Sequence, residues 1–560
     1  MIVSRTADLI VRASGMHRMT DEELGASSAQ ARRAPIAEAH EPSPEADSLR
    51  AAVAVSEGEI IGLGDWTDVE ALAGPDTEVV ALQGTIVPAF TDAHAHPIMS
   101  LSLARGAALK ECATLDEVAE ALRAEAAERG ADEWVLGWGL DPNVFVDGAI
   151  TNDVLHEALG PDRLAYVTLF DAHSAIASDA ALAIAGITGP RAYPGHSFVV
   201  ADDAGKPTGH LLEMGAMNEV QAHIPEQALE ERVAGLRELL SAMAAKGIAE
   251  IHVMDMNDPE TVALLTAAEE EAPLPVKLRI SPWCTPTMDA ADCAELVEKQ
   301  RLHGRRWRVG GVKFFIDGTV EGGTAWLETP DSRGEGTTSA WEGIDAYAAR
   351  VSQLNSAGVP TATHAIGERG IREVAETLAA LPDTGVQHRI EHIESVGRDV
   401  IDLLGRAGIA ASMQPTHCTH YTRADGSDDW SQRLGEDRAR RAWCTRDVLD
   451  AGAILALGSD YPVAPFDALK IMADAQLRRP VDDAAAAPIL PEQGLTAAEA
   501  LAGYTRGPWA AIGERGGFLA VGEPAAFTVL DVDPLTVAPE VLGDATVLLT
   551  VSDGLVTHSA

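Results

Sequence analysis

A parallel α/β barrel, carrying a β-sheet domain built from both chain ends, is the fold class that this sequence predicts. Three observations lead there. Strand-like segments alternate with helical ones through the middle of the chain. Short strand signals separated by glycine turns recur at both ends. More than 150 residues separate the first barrel strand from the second.

Taken in order, residues 7–15 alternate as a strand does. Residues 16–46 are rich in Ala, Ser, Glu and Pro with few large apolar side chains, and read as a flexible insertion. Strand signals resume at Ala51–Val55, Ile60–Gly64 and Thr77–Leu82. Gly84–Phe90 is an apolar, β-branched run that reads as a buried strand and leads into Thr91-Asp92-Ala93-His94-Ala95-His96-Pro97. His94 and His96 are two apart, so on a strand they share a face and can hold one metal ion. Two exposed loop histidines are the bland alternative. The hydrophobic strand before them and Pro97 after them favour the metal.

Seven further strand candidates follow: Gly247–Met254, Val276–Trp283, Val309–Ile316, Val359–His364, Gln387–His392, Gly408–Gln414 and Ala453–Ser459. Helical patterns such as Glu226–Lys246 and Ile344–Ala357 lie between most of them. Eight such strands predict a (β/α)8 TIM barrel over 84–515. The first gap far exceeds one crossover, so residues 100–235 contain an insertion. Phe527–Asp531, Thr546–Val551 and Gly554–Val556 have the texture of the N-terminal strands. Residues 1–83 and 516–560 are therefore expected to build one β-domain.

Composition excludes several roles. The chain has 560 residues, 46% hydrophobic and 23% charged, as an ordinary globular protein does. A net charge of −44 argues against nucleic acid or anionic membranes as partners. Five cysteines with no C-x-x-C predict no disulfide framework and fit a reducing cytoplasm. The N-terminus has no signal-peptide pattern, and no stretch is apolar enough for a membrane helix. No phosphate loop stands at a strand–helix junction, so no nucleotide is expected.

In a barrel the chemistry sits at the carboxyl ends of the strands. Lys313, His364, His392 and Asp460 all fall at or late in candidate strands, joining His94 and His96. A lone strand-end histidine is usually a packing residue. Five strand ends converging this way point to a metal site.

The matching segments are VPAFTDAHAHP, WVLGWGLDPNVF, TLFDAHSAIASDAALAIAGI, GGVKFFIDGTV, THAIGERG, HRIEHIE, MQPTH, LGSDYPV and GFLAVGEPAAFTVLDVDPL. Together they resemble the metal-dependent amidohydrolase superfamily, specifically its YtcJ-like amidohydrolase 3 family. The resemblance covers nearly the whole chain except residues 16–46. It implies a (β/α)8 barrel, a composite β-sandwich from both termini and an insertion after the first strand. It implies that His94, His96 and Asp460 bind one divalent metal, that His364 and His392 bind a second, and that a carboxylated Lys313 bridges the binuclear centre. An ammonium has no acceptor, whereas its carbamate offers two anionic oxygens. The metals would be zinc, with manganese, iron and cobalt as alternatives. The expected reaction is hydrolysis of a non-peptide C–N bond in an amide, imide or N-acyl substrate, a small molecule, by metal-activated hydroxide. Asp460 would act as general base and then acid. A buried structural Lys313 paired with Asp317 is the competing reading for that residue, and would leave one metal. A homodimer is carried over on the same basis, whereas the cytoplasmic location rests on the cysteine usage and the lack of a signal-peptide pattern.

Expected substrate contacts are His173, Trp138, Asp141 and His417. His420 is expected in a solvated loop, and Glu391 either orients a ligand or pairs with Arg389. Trp134, Trp283 and Trp326 either line a pocket or pack in the core. The sequence departs from the family pattern at Glu368, at Ile176–Asp179 and at Gly137–Asp141, which leaves the substrate open. The rival readings are an ester or lactone hydrolase, a catalytically silent amidohydrolase-like scaffold and a metal-binding sensor.

Overall fold

The computed structural model describes residues 5–24, 49–145, 149–194, 197–256 and 259–560. Its centre is mixed α/β, with two parallel sheets. In the first, Phe90–Ala95, Ile248–Val253, Lys277–Ile280 and Trp307–Val309 pair in that order. In the second, Val312–Phe315, Thr361–Ala365, Arg389–His392, Ala410–Met413 and Leu455–Leu457 follow one another. These strands are short and apolar and are buried almost throughout, as parallel strands covered on both faces must be. Leu229–Ala244, Ile344–Ser356, Glu368–Ala379 and Arg398–Ala407 are among the covering helices, each with an apolar stripe turned inward.

The single strand expected over Val309–Ile316 is broken. Gly310 and Gly311 interrupt it, Gly311 at φ +123°, and its two halves belong to different sheets. The sheets meet at this break, where the Cys284 N–H donates to the Lys313 carbonyl at 2.8 Å and the Lys313 N–H donates to the Pro282 carbonyl at 2.9 Å. At the opposite edge the Asp460 N–H donates to the His94 carbonyl and the His96 N–H to the Tyr461 carbonyl, both at 2.7 Å. Among the described residues, ladder pairing does not run continuously across this second edge. Instead the Asp92 carboxylate accepts the N–H groups of His94 and Ser459, each at 3.0 Å. Gly458 is required here, because a Cβ would stand 2.6 Å from the His94 nitrogen.

Between the first two parallel strands, residues 107–212 form a separate seven-stranded mixed sheet with its own apolar clusters. At the chain ends, Thr85–Pro88 pairs with Phe527–Leu530, which continues into Val547–Ser552 and Leu555–Ser559. Leu9–Ala13, Ala51–Ser56, Glu59–Asp65 and Glu78–Ala81 form a second sheet. One core of Val11, Val53, Ile86, Phe527 and Val551 joins the two.

Of the flexible insertion expected over 16–46, residues 25–46 lie outside the described residues. Residues 16–24 are packed instead: Met19 is buried, the Leu519 N–H donates to the Arg18 carbonyl at 2.9 Å, and Arg506 donates to the Met19 carbonyl at 3.0 Å. All five cysteines are free thiols. Among the described residues no helix is long and apolar enough to cross a membrane.

Asp92→Ala leaves two buried N–H donors without an acceptor where the sheet edges meet. It should lower stability by about 2–4 kcal/mol, read as a shift in the urea unfolding midpoint. An unchanged midpoint would show that the carboxylate does not hold the edges together.

Candidate metal centre and its cavity

The parallel strands deliver their carboxyl ends to one place. His94 and His96 leave Phe90–Ala95, Lys313 lies in Val312–Phe315, His364 in Thr361–Ala365 and His392 ends Arg389–His392. Asp460 stands three residues after Leu455–Leu457. All six are buried. Asp460 Oδ1 lies 3.3 Å from His94 Nε2 and 3.2 Å from His96 Nε2, and His94 Nε2 lies 3.3 Å from His96 Nε2. The Lys313 Nζ stands 3.4 Å from His94 Nε2. The His392 ring centre is 4.8 Å from that of His94 and 4.5 Å from that of His364.

Neighbouring groups set the tautomers. His94 Nδ1 meets Glu391 Oε2 at 2.6 Å, so Nδ1 carries the proton and Nε2 keeps its lone pair. Glu391 also ion-pairs with Arg389 at 2.7 Å, so both expected roles of this carboxylate are realised. His392 Nδ1 donates to Gln414 Oε1 at 2.9 Å, again freeing Nε2. His364 Nε2 donates to the Gly318 carbonyl at 3.2 Å and frees Nδ1. Burial, with like-charged neighbours adding to it, holds His94, His364 and His392 well below the ordinary histidine pKa. They are neutral donors of the kind a cation needs. Burial likewise pulls Lys313 down to about 8, against the pull of Glu391 and Asp460. Burial opposes ionisation of Asp460, but His94, His96 and His417 outweigh it and hold the carboxyl below its usual range.

The donor set fits a divalent ion. Among the described residues, His94, His392 and Asp460 bring ligand atoms within 4.8 Å of one another, and Asp460 Oδ1 is buried with no hydrogen-bond partner. His96, Lys313 and His364 border this group. The expected alternative of a Lys313–Asp317 pair is not made. Asp317 instead accepts the N–H groups of Trp326, Ile366 and Gly367 at 2.8, 3.1 and 2.9 Å.

Except for His94, the cluster lines the floor of a cavity of about 570 Å³. His173, from the insertion, reaches its wall, with its ring 5.1 Å from His364 and Nδ1 2.8 Å from Glu213 Oε2. Burial works against the protonated ring, but Glu213 and Asp171 prevail and raise His173 to about 9. His417 also lines the cavity, with Nε2 3.5 Å from Asp460 Oδ2. His420 is on the Pro415–Tyr421 helix and not in a loop, paired with Asp474 at 3.3 Å.

Trp138 and Asp141 are not part of the cavity wall. Trp138 packs under Lys110, and Asp141 accepts the Asn143 N–H at 2.9 Å as the cap of a helical turn. Trp283 lines the cavity, while Trp134 and Trp326 do not. Glu213, Glu321, Glu394, Tyr421 and Trp443 line the cavity and were not singled out in the sequence. Glu394 was legible in principle, since it lies two residues beyond His392.

A family model described as the amidohydrolase family matches residues 78–558. YtcJ of Bacillus subtilis (strain 168) is 27% identical over 522 residues, which cover 90% of this chain and 96% of that protein. The N-substituted formamide deformylase of Arthrobacter pascens is 26% identical over 556 residues, covering 91% of this chain and 95% of that one. An uncharacterized metal-dependent hydrolase from Pyrococcus horikoshii OT3 has the same fold, with a TM-score of 0.65 at 23% identity over 87% of this chain and 95% of its own. The chain belongs to the amidohydrolase family. It is an enzyme that hydrolyses carbon–nitrogen bonds, and membership implies use of a divalent metal.

Gln414→Met removes the acceptor that orients His392 without placing a charge in the core. It should weaken divalent-ion binding by about 10- to 100-fold in competition with a chromophoric chelator, with the far-UV circular dichroism unchanged. Equal affinity in the variant would remove Gln414 from the site.

Proposed function

We propose that this chain is a metal-dependent hydrolase of amide, imide or N-acyl C–N bonds, working at the open end of a (β/α)8 barrel formed by the two parallel sheets. The observation that carries the reading is the convergence of His96, Lys313, His364, His392 and Asp460 on the floor of one cavity, with His94 buried against them. His94, His96 and Asp460 would hold one divalent ion, His364 and His392 a second, with Lys313 between them. Such ions, zinc being the first candidate for this donor set, supply Lewis acidity that polarises a carbonyl and acidifies a water.

The chain's own residues do the rest. Asp460 is ionised, and its unpartnered Oδ1 can accept a proton from the attacking water and return it to the leaving nitrogen. Glu391 and Gln414 hold the His94 and His392 rings in place. Burial lowers the cost of the neutral Lys313 amine, bringing its pKa to about 8. That amine can take up CO2 as a carbamate with loss of one proton, which converts a group without an acceptor into an anionic oxygen donor. The insertion contributes His173 to the cavity wall. Similarity to a deformylase of N-substituted formamides supports an N-acyl amine as the substrate type.

Two measurements test this. Elemental analysis of protein purified without added metal should find about two divalent ions per chain, with one ion demoting Lys313 to a structural role. Asp460→Asn should lower kcat/KM on an amide substrate by about 10³-fold with the fold intact. An unchanged rate would end the proposed role of Asp460.

A further inference from the structure

The cavity wall is acidic, and one of its acids is unmatched. Besides Glu321, five carboxylates face the cavity, and each has a partner. Asp171 accepts the Thr319 hydroxyl at 3.1 Å, and Glu213 accepts His173 Nδ1 at 2.8 Å. Asp317 takes three backbone N–H groups, Glu394 takes the Trp430 Nε1–H at 2.8 Å, and Asp460 faces the histidines. Among the described residues, Glu321 makes no ion pair and no side-chain hydrogen bond to another residue. It nevertheless sits in an ordered turn at the end of the Lys313 strand. There the Gly318 N–H donates to the Thr324 carbonyl at 3.1 Å, the Thr324 N–H to the Thr319 carbonyl at 3.0 Å and the Gly323 N–H to the Val320 carbonyl at 2.9 Å.

The same wall offers an anion nothing. No arginine lines the cavity, and its one lysine, Lys313, is fully buried against His94. The charge of His173 is already matched by Glu213 and Asp171. Away from the candidate metal floor, a substrate carboxylate at this wall would face the acids Asp171, Glu321 and Glu394 with no arginine or free lysine beside it. Burial, then the charges of Glu394 and Asp171, push the Glu321 carboxyl well above its usual range, as expected of an acid lacking a counter-ion. The cavity also has the features of a ligand site. Its walls include the Trp283–Phe315 pair, with ring centres 4.8 Å apart, and the buried His417 Nε2 has no hydrogen-bond partner.

We propose that Glu321 is a specificity-determining residue that receives a protonated nitrogen on the far side of the substrate, so that the cavity selects cationic, apolar-armed amides over amides bearing a carboxylate. This rests on the hydrolase reading above. The preference is set by a wall carboxylate that, among the described residues, no other residue pairs with or hydrogen-bonds.

The test uses three amides that differ at a single position: N-formylbenzylamine and its para-aminomethyl and para-carboxy derivatives, with metal-loaded enzyme. In the wild type, kcat/KM for the aminomethyl compound should exceed that for the carboxy compound by about 30-fold or more. Glu321→Gln should lower that ratio at least about fivefold, and Glu321→Lys should reverse the preference. Turnover of all three at similar rates, or a ratio that Glu321→Gln leaves unchanged, overturns the proposal while the hydrolase reading stands. Calorimetric binding of the same compounds separates the two ideas if none is turned over. Tighter binding of the aminomethyl compound that depends on Glu321 would keep this proposal and count against the hydrolase reading. No charge-dependent binding overturns it.

Discussion

The centre of this chain depends on one buried relay of charge, Arg389 to Glu391 to His94. Arg389 is buried and pairs with Glu391 at 2.7 Å, and it also donates to His252 Nδ1 at 2.9 Å and to the Ala93 carbonyl at 3.0 Å. One guanidinium thus ties together residues of three parallel strands drawn from both sheets. Glu391 then fixes the His94 ring. A buried ion pair adds little net stability, because desolvation offsets most of the attraction. What it imposes is geometry, since a misplaced strand would leave a bare charge in the core. The same relay therefore sets the packing of the strand ends and the tautomer of a metal-competent histidine.

Around this relay the molecule separates rigidity from selectivity. The candidate metal ligands stand at or just beyond strand ends, where main-chain pairing holds them. Two of them turn sharply there: His392 has φ +74° and Asp460 has φ +57°, conformations that cost a non-glycine residue about 1–3 kcal/mol. The turns aim both side chains at the floor of the cavity. The walls above come from loops and the insertion, where Glu213 is similarly strained at φ +61°. The walls are apolar with buried acids, whereas the floor is rich in nitrogen. Substrate choice can change in the walls without disturbing the floor.

The strand order and the six candidate donors were legible in the sequence because each depends on a local pattern. A β-branched run ending in H-x-H, a lysine within Val312–Phe315, and histidines and an aspartate at successive strand ends are all features of a few adjacent residues. The break at Gly310–Gly311 was less so. The flanking residues are good strand formers, and only the junction of two sheets requires the glycines there. The start of the 16–46 segment reads as loop by composition, yet Met19 is buried against distant parts of the chain.

Tertiary structure alone decided the walls. Trp138 and Asp141 stand outside the cavity lining, Trp138 packed under Lys110 and Asp141 capping a helical turn. Glu213, Glu321 and Glu394 come from three separate segments and share no pattern. Their significance lies in which neighbours satisfy them, and that is a property of the folded chain. The sequence by itself determined the ladder of parallel strands and the donors at their ends, because period and residue type are local. Which carboxylates are paired and which one stands open to a ligand was decided only on folding, because burial and partnership exist only between segments brought together in space.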